Sequence, residues 1–187
     1  MTDMDVVFVE SFLTSAEAEI LFRGLEALPW TRGKFMSRPV PREEIWIGPF
    51  AYRFSGRTLE TASWIPEISA IRNKIQRAYG GDYNSVLLNR YAHAQDSVSW
   101  HSDDEPEMDS THPIASVSLG ASRAFLVRPI AENQSTERFV RSYRLNSGSL
   151  LIMPPAFQQK YQHCVPKSQT PCTPRINLTF RRMKPKK

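Results

Sequence analysis

The 187 residues, 41% of them hydrophobic, are enough for one well-filled core and too few for two ordinary domains, so a single domain is expected over residues 1–187. A net charge of +5, from 24 Lys and Arg against 19 Asp and Glu, points to a polyanionic partner such as nucleic acid, although Arg181, Arg182, Lys184, Lys186 and Lys187 fit a solvated tail equally well. There is no run of about 18 apolar residues to span a membrane, Asp3 and Asp5 do not suit a secretory leader, and Cys164 and Cys172 are too few for a disulfide framework; a soluble intracellular protein is expected, cytoplasmic in a bacterium or nuclear in a eukaryote, not secreted and without membrane association.

Along the chain, Val6-Val7-Phe8-Val9 reads as a short opening strand. Thr14-Ser15-Ala16-Glu17 is a capping-box pattern that starts an amphipathic helix through about Leu28, with Ile20, Leu21, Leu25 and Leu28 as its buried stripe. Between Trp30 and Arg57, aromatic residues alternate with Pro39, Pro41, Pro49 and basic side chains, a composition that suits irregular surface hairpins better than a regular core. Pro66 opens a second helix, which runs to Tyr79 and stops at Gly80-Gly81. Short apolar or alternating runs follow at 85–91, 98–101, 114–119, 124–127, 139–145, 149–153, 161–165 and 176–180, separated by turn residues. Strands of this length and spacing after two helices predict a mainly β, α+β protein: a two-sheet jelly roll or barrel over about 83–182, preceded over about 1–82 by hairpins and by helices that cover one sheet.

Four histidines are available to chemistry, and His93 and His112 fall in loops. His101-Ser102-Asp103 follows an apparent strand, whose residues i and i+2 project to one face, so an imidazole and a carboxylate can meet one ion. His163, in the penultimate strand, is the strongest candidate for a third ligand. Two neutral nitrogens and one carboxylate leave open positions on the ion, the preference of non-haem iron(II) oxygenases, while zinc hydrolases use the same set. His-x-Asp alone reads equally well as a loop hydrogen-bonder followed by a solvated acidic turn. In Arg175-Ile176-Asn177-Leu178-Thr179-Phe180-Arg181, strand alternation puts Arg175, Asn177, Thr179 and Arg181 on one face. Turned inward, that face needs an anionic partner such as a small dicarboxylate, which arginine grips with two parallel hydrogen bonds; turned outward, it is an ordinary polar edge.

Five blocks taken together, Asn89-Arg90-Tyr91, Trp100-His101-Ser102-Asp103-Asp104-Glu105, Pro113-Ile114-Ala115-Ser116-Val117-Ser118-Leu119-Gly120, His163, and Arg175 through Arg181, resemble the AlkB family of oxidative nucleic-acid dealkylases. The likeness is closest to the members first described in animals, which share Asp-Ser-Val-x-Trp-His-Ser-Asp-Asp-Glu-Pro, and it extends in order from about Trp30 to Arg181. It implies a double-stranded β-helix core and the cofactors iron(II), 2-oxoglutarate and O2. His101, Asp103 and His163 match the family's catalytic iron ligands. Arg175 matches the partner of the distal 2-oxoglutarate carboxylate, helped by Tyr91 and Asn177, while Asn89 and Arg181 match residues near its metal-chelating end. Asp104 and Glu105 match acidic positions beside the target base, and Tyr52-Arg53-Phe54-Ser55-Gly56 resembles the segment lining the base pocket, with Phe54 stacking on the base and Tyr52 as a further wall.

The implied reaction is demethylation of bases of the 1-methyladenine and 3-methylcytosine type in DNA or RNA, coupled to decarboxylation of 2-oxoglutarate to succinate with release of formaldehyde. Basic residues near Arg38, Arg42, Arg53 and Arg57 are expected to track phosphates. One departure stands out: where duplex-acting members carry an apolar finger before Gly-Lys, this chain has Thr31-Arg32-Gly33-Lys34, and an arginine makes a poor apolar wedge. Single-stranded or locally unpaired DNA, or RNA, is therefore the expected partner of a monomer. The competing readings are a hydroxylase of the same cofactors acting on a protein or small molecule, a zinc hydrolase, and a non-catalytic nucleic-acid-binding module.

Overall fold

The computed structural model describes residues 5–54, 56–130 and 140–185, with Phe35 and Phe54 described by backbone alone. Its N-terminal elements are β1 (Val7–Val9), α1 (Ser15–Glu26), β2 (Lys34–Phe35), β3 (Arg38–Pro39), β4 (Glu43–Ile47), β5 (Tyr52–Phe54), β6 (Arg57–Leu59) and α2 (Pro66–Tyr79). There follow β7 (Ser85–Tyr91), β8 (Val98–His101), β9 (Ile114–Gly120), β10 (Arg123–Pro129), β11 (Arg141–Leu145), β12 (Leu150–Met153), α3 (Phe157–Lys160), β13 (Tyr161–Val165) and β14 (Arg175–Arg181). Position 139, where the sequence starts the strand that becomes β11, lies outside the described residues, as do Lys186 and Lys187.

The strands form a six-stranded antiparallel sheet in the order β1-β12-β9-β14-β7-β4 and a four-stranded sheet in the order β11-β10-β13-β8. Both faces of the larger sheet are buried, each by a different partner. On one face, Val86, Leu88, Val117, Ile176, Leu178 and Phe180 share a core cluster with Leu21 and Leu25 of α1 and Ile68 and Ile75 of α2. On the other, Leu87, Tyr91, Leu151 and Met153 pack with Phe125, Val127, Tyr161 and Val165 of the smaller sheet. This is the jelly roll with helices over one sheet that the strand spacing predicts. Each fully buried aliphatic side chain stabilises it by about 1.5–3 kcal/mol.

Local chemistry explains both helices. Thr14 accepts from the Glu17 backbone N–H at 3.2 Å while the Glu17 carboxylate accepts from the Thr14 N–H at 2.8 Å, a complete capping box. Pro66 opens α2, and Gly80, at φ 74°, ends it. The buried stripe of α1 departs from the sequence reading: Ala18, Leu21 and Leu25 are buried and Leu28 is half-buried, but Ile20 is 74% exposed. Ile20 lies about 200° around the helix from Ala18, on the solvent side.

A second correction concerns the aromatic stretch. Its middle is not a surface hairpin but β4, which pairs with β7 and extends the large sheet, burying Trp46 and Ile47. Only β2–β3 and β5–β6 remain as separate hairpins, set beside the rim of the cavity described below. The Pro-rich composition misleads because the prolines flank β4 rather than interrupt its ladder.

Candidate metal and cosubstrate site

The cross-strand register brings His163 of β13 directly opposite His101, the last residue of β8, with ring centroids 4.3 Å apart. Opposed residues on antiparallel strands hold their Cβ atoms about 5 Å apart, close enough for two imidazoles to share an ion. Asp103, two residues past β8, completes the group: one ligand atom from each of His101, Asp103 and His163 lies within 4.8 Å of the others.

Two of the three candidate ligands, His101 and Asp103, are held in orientation by hydrogen bonds. His101 Nδ1 lies 2.8 Å from the Ser99 carbonyl, which can only accept, so Nδ1 carries the proton and Nε2 keeps its lone pair. The Asp103 backbone N–H donates to Gln158 Oε1 at 2.9 Å, and the carboxylate accepts from Arg181 Nη2 at 2.8 Å. Burial by itself would raise the Asp103 carboxyl, but Arg181, His163 and His101 outweigh it and bring its pKa down to about 2. Burial, with His101 adding to it, lowers His163 to about 3. At neutral pH the group is therefore a neutral imidazole beside a carboxylate, the protonation a divalent ion requires.

The same cavity, about 1090 Å³, runs from this group to the inward face of β14. Register places Arg175 opposite Tyr91 and Asn177 opposite Asn89 on β7, and Ser118 and Ser116 of β9 lie on the other side. Arg175 is 1% exposed; Nη2 donates to Ser118 Oγ at 2.9 Å, while Nε and Nη1 are buried without a hydrogen-bond partner. Burial lowers the Arg175 pKa. Donors left open in a buried cavity are costly unless a ligand fills them, and a carboxylate matches their geometry. Arg181 differs: besides Asp103 it donates to the Tyr52 hydroxyl at 3.0 Å. Asn177 donates to Ser116 Oγ and the Val117 carbonyl, at 2.8 and 2.9 Å.

At the outer rim, Asp104 and Glu105 line the cavity, and burial raises the Glu105 carboxyl with nearby Asp103 adding to it and Arg181 opposing. Tyr52 is 1% exposed, its ring stacked on Trp46 at 4.5 Å, and burial raises its phenol. Phe54 ends β5, but its side chain, like the whole of Ser55, lies outside the described residues. Trp100 turns away from the ligands on its strand and carries the Arg128 guanidinium 4.2 Å from its ring.

The four expected phosphate-tracking arginines divide in two, which corrects the sequence reading. Arg57 grips the fully buried Glu44 with Nη1 at 2.6 Å and Nη2 at 3.2 Å, and Arg42 reaches the same carboxylate at 2.8 Å while donating to Asn89 Oδ1 at 3.0 Å. Arg38 and Arg53 remain exposed. Arg32 is also committed, paired with Asp96 through two 3.0 Å bonds, and the β2–β3 hairpin ends instead in Met36, 82% exposed. Glu44, Asp96 and Gln158 were missed because single polar residues in an edge strand, a loop and a one-turn helix carry no periodic signal. Ser116 and Ser118 did carry one, as the polar positions alternating through β9.

Residues 5–181 match the family model of the 2OG-Fe(II) oxygenase superfamily. The chain is 37% identical over 190 residues to alpha-ketoglutarate-dependent dioxygenase alkB homolog 3 of Bos taurus, covering 96% of this chain and 66% of that one. It is also 37% identical over 187 residues to DNA oxidative demethylase ALKBH2 of Mus musculus, covering 92% and 77%. It thus spans just under two thirds of the length of the alkB homolog 3 relatives. The solved structure of OsALKBH1 superposes with a TM-score of 0.62 at 18% identity, over 97% of this chain and all of that one, a likeness of fold. With a His-Asp-His group, half-buried at His101 and buried at Asp103 and His163, facing an anion-ready arginine inside a two-sheet jelly roll, and with a family match over nearly its full length, the chain belongs to the 2OG-Fe(II) oxygenase superfamily.

Proposed function

We propose that residues 1–187 form one catalytic domain, acting as a monomer, that demethylates bases of the 1-methyladenine and 3-methylcytosine type in single-stranded or locally unpaired DNA, or RNA. The observation that carries this reading is that the His101–Asp103–His163 group and the open donors of Arg175 face one cavity, whose rim is acidic where a base would enter. The names of the alkB homolog 3 and ALKBH2 relatives support the choice of nucleic acid over a protein or small molecule.

Iron(II), 2-oxoglutarate and O2, when bound, supply the oxidising power that hydroxylates the N-methyl carbon, after which formaldehyde leaves and succinate remains. His101, Asp103 and His163 would hold the ion, and Arg181 keeps Asp103 ionised and aimed. Arg175, beside Tyr91 and Asn177, would take the distal carboxylate of the cosubstrate, and Asn89 and Arg181 would serve its other end. A base methylated at N1 of adenine or N3 of cytosine is cationic and cannot pair normally, so it costs less to extrude. Asp104 and Glu105 attract that charge and read the amino edge, while Tyr52, fixed by Trp46 and Arg181, and Phe54 wall the pocket.

Of the four arginines expected to follow phosphates, Arg38 and Arg53 are the exposed pair left to do so. No helix among the described residues is long and apolar enough to cross a membrane. The test is incubation with iron(II), 2-oxoglutarate and oligonucleotides carrying 1-methyladenine or 3-methylcytosine. Formaldehyde should appear in step with succinate, faster on single strands than on duplexes. Succinate formed with peptides or small molecules, but no formaldehyde from any methylated DNA or RNA, would overturn the substrate assignment.

A further inference from the structure

Among the described residues the buried arginines are Arg123, Arg175 and Arg181. Arg181 has a carboxylate partner in Asp103. The other two have none among the described residues: Arg175 donates to the Ser118 hydroxyl, and Arg123 Nη2 donates to the backbone carbonyls of Asp96 and Pro166. Arg123 Nη1, like Arg175 Nε and Nη1, is buried without a hydrogen-bond partner.

Both guanidiniums sit against one residue. The Arg175 guanidinium carbon lies 5.1 Å from the centre of the Tyr91 ring and that of Arg123 lies 5.6 Å from it, and Tyr91 is 2% exposed. They are close enough that Arg123 adds to the lowering of the Arg175 pKa, which burial chiefly causes and Tyr91 opposes. Two like charges buried together without an anion are unfavourable, and the tyrosine face offsets only part of that cost. An anion bound at Arg175 feels both.

We propose that Arg123 is a specificity-determining residue of the cosubstrate pocket, a second guanidinium behind Tyr91 that makes the site select a 2-oxoacid with a distal carboxylate over one without. Arg123 is not among the residues that line the cavity; it acts through the field at Arg175 and by holding Tyr91 in place. This rests on the reading of Arg175 as the carboxylate anchor.

The alternative is that Arg123 only ties down the loops that hold Asp96 and Pro166. The two roles separate by direct calorimetric titration of the manganese(II)-loaded protein with 2-oxoglutarate and with 2-oxobutanoate, which lacks the distal carboxylate. Arg123→Gln should weaken 2-oxoglutarate by about tenfold, the scale of a charge–charge attraction in a partly screened interior, and change 2-oxobutanoate by less than about twofold. Arg123→Lys should keep most of the wild-type preference, and Arg123→Met replaces the Gln variant if that does not fold. A loss shared equally by both ligands, or a preference unchanged in the neutral variant, overturns the proposal. Arg175→Gln is the control: if it too leaves the preference intact, the anchor itself is misassigned, whereas a preference lost there and kept in the Arg123 variants removes only the role of Arg123.

Discussion

On one face of β14, Ile176, Leu178 and Phe180 share a core with α1 and α2; on the other, Arg175, Asn177, Thr179 and Arg181 meet polar side chains and a cavity. All seven residues are buried, so exposure does not tell the faces apart. Satisfaction does. The aliphatic face is complete, whereas the polar face holds open donors on Arg175 and Arg181, with Nδ1 of His163 in the same condition across the cavity. A buried surface that leaves its own hydrogen-bonding capacity unfilled is organised for a ligand, and sacrifices stability to be so.

The largest test of this contrast is Asp103→Ala. It removes a proposed metal ligand and leaves Arg181 buried without its carboxylate, so formaldehyde release should fall to background and metal-free stability in urea should drop by about 3–5 kcal/mol. Next comes a matched pair on opposite faces of β14. Leu178→Ala should cost about 2–5 kcal/mol in the same denaturation experiment while leaving the affinity for 2-oxoglutarate unchanged. Arg175→Met should do the reverse, with stability within about 1 kcal/mol of wild type or above it and binding of 2-oxoglutarate lost, because a buried uncompensated charge is exchanged for apolar contact. If Arg175→Met destabilises as much as Leu178→Ala, the two faces are not different in kind.

A smaller effect is expected at Asp96, outside the polar face of β14 and already satisfied. Burial tends to raise its carboxyl, but Arg32 and the Ala92 N–H outweigh that and hold it below its ordinary value. Its contribution is therefore present above an unfolded pKa of about 3.9 and is lost as the pH falls through the lower folded value. Asp96→Asn should cost about 2 kcal/mol at pH 7, and the difference from wild type should shrink as the pH is lowered below 4, read from urea midpoints. The smallest change belongs to the exposed rim: Arg53→Ala should leave stability unaltered and reduce the salt dependence of oligonucleotide binding by about one counterion, while Arg57, bound to Glu44, behaves as a structural residue.

Much of the site could be read from the order of residues because each reading rested on short-range geometry. Alternation along 175–181 separates the two faces, His101 and Asp103 are two residues apart, and the Thr14 capping box is a four-residue pattern, so none of these depends on where the rest of the chain goes. Residue types likewise limit the chemistry to nitrogen and carboxylate ligands with a guanidinium nearby.

Tertiary structure decided what those patterns could not. The pairing of β4 with β7, which puts Glu44 beneath Arg42 and Arg57, takes two apparent phosphate contacts out of service. The Arg32–Asp96 pair joins residues 64 apart and turns the residue at the finger position into a strut, leaving Met36 at the hairpin tip. Ile20 and Leu21, adjacent in sequence, part company because only packing against the sheet fixes which side of α1 is inside. In each case a charge or an apolar side chain has several acceptable partners or faces, and its free energy is set by the desolvated neighbour it meets, which the local pattern does not specify.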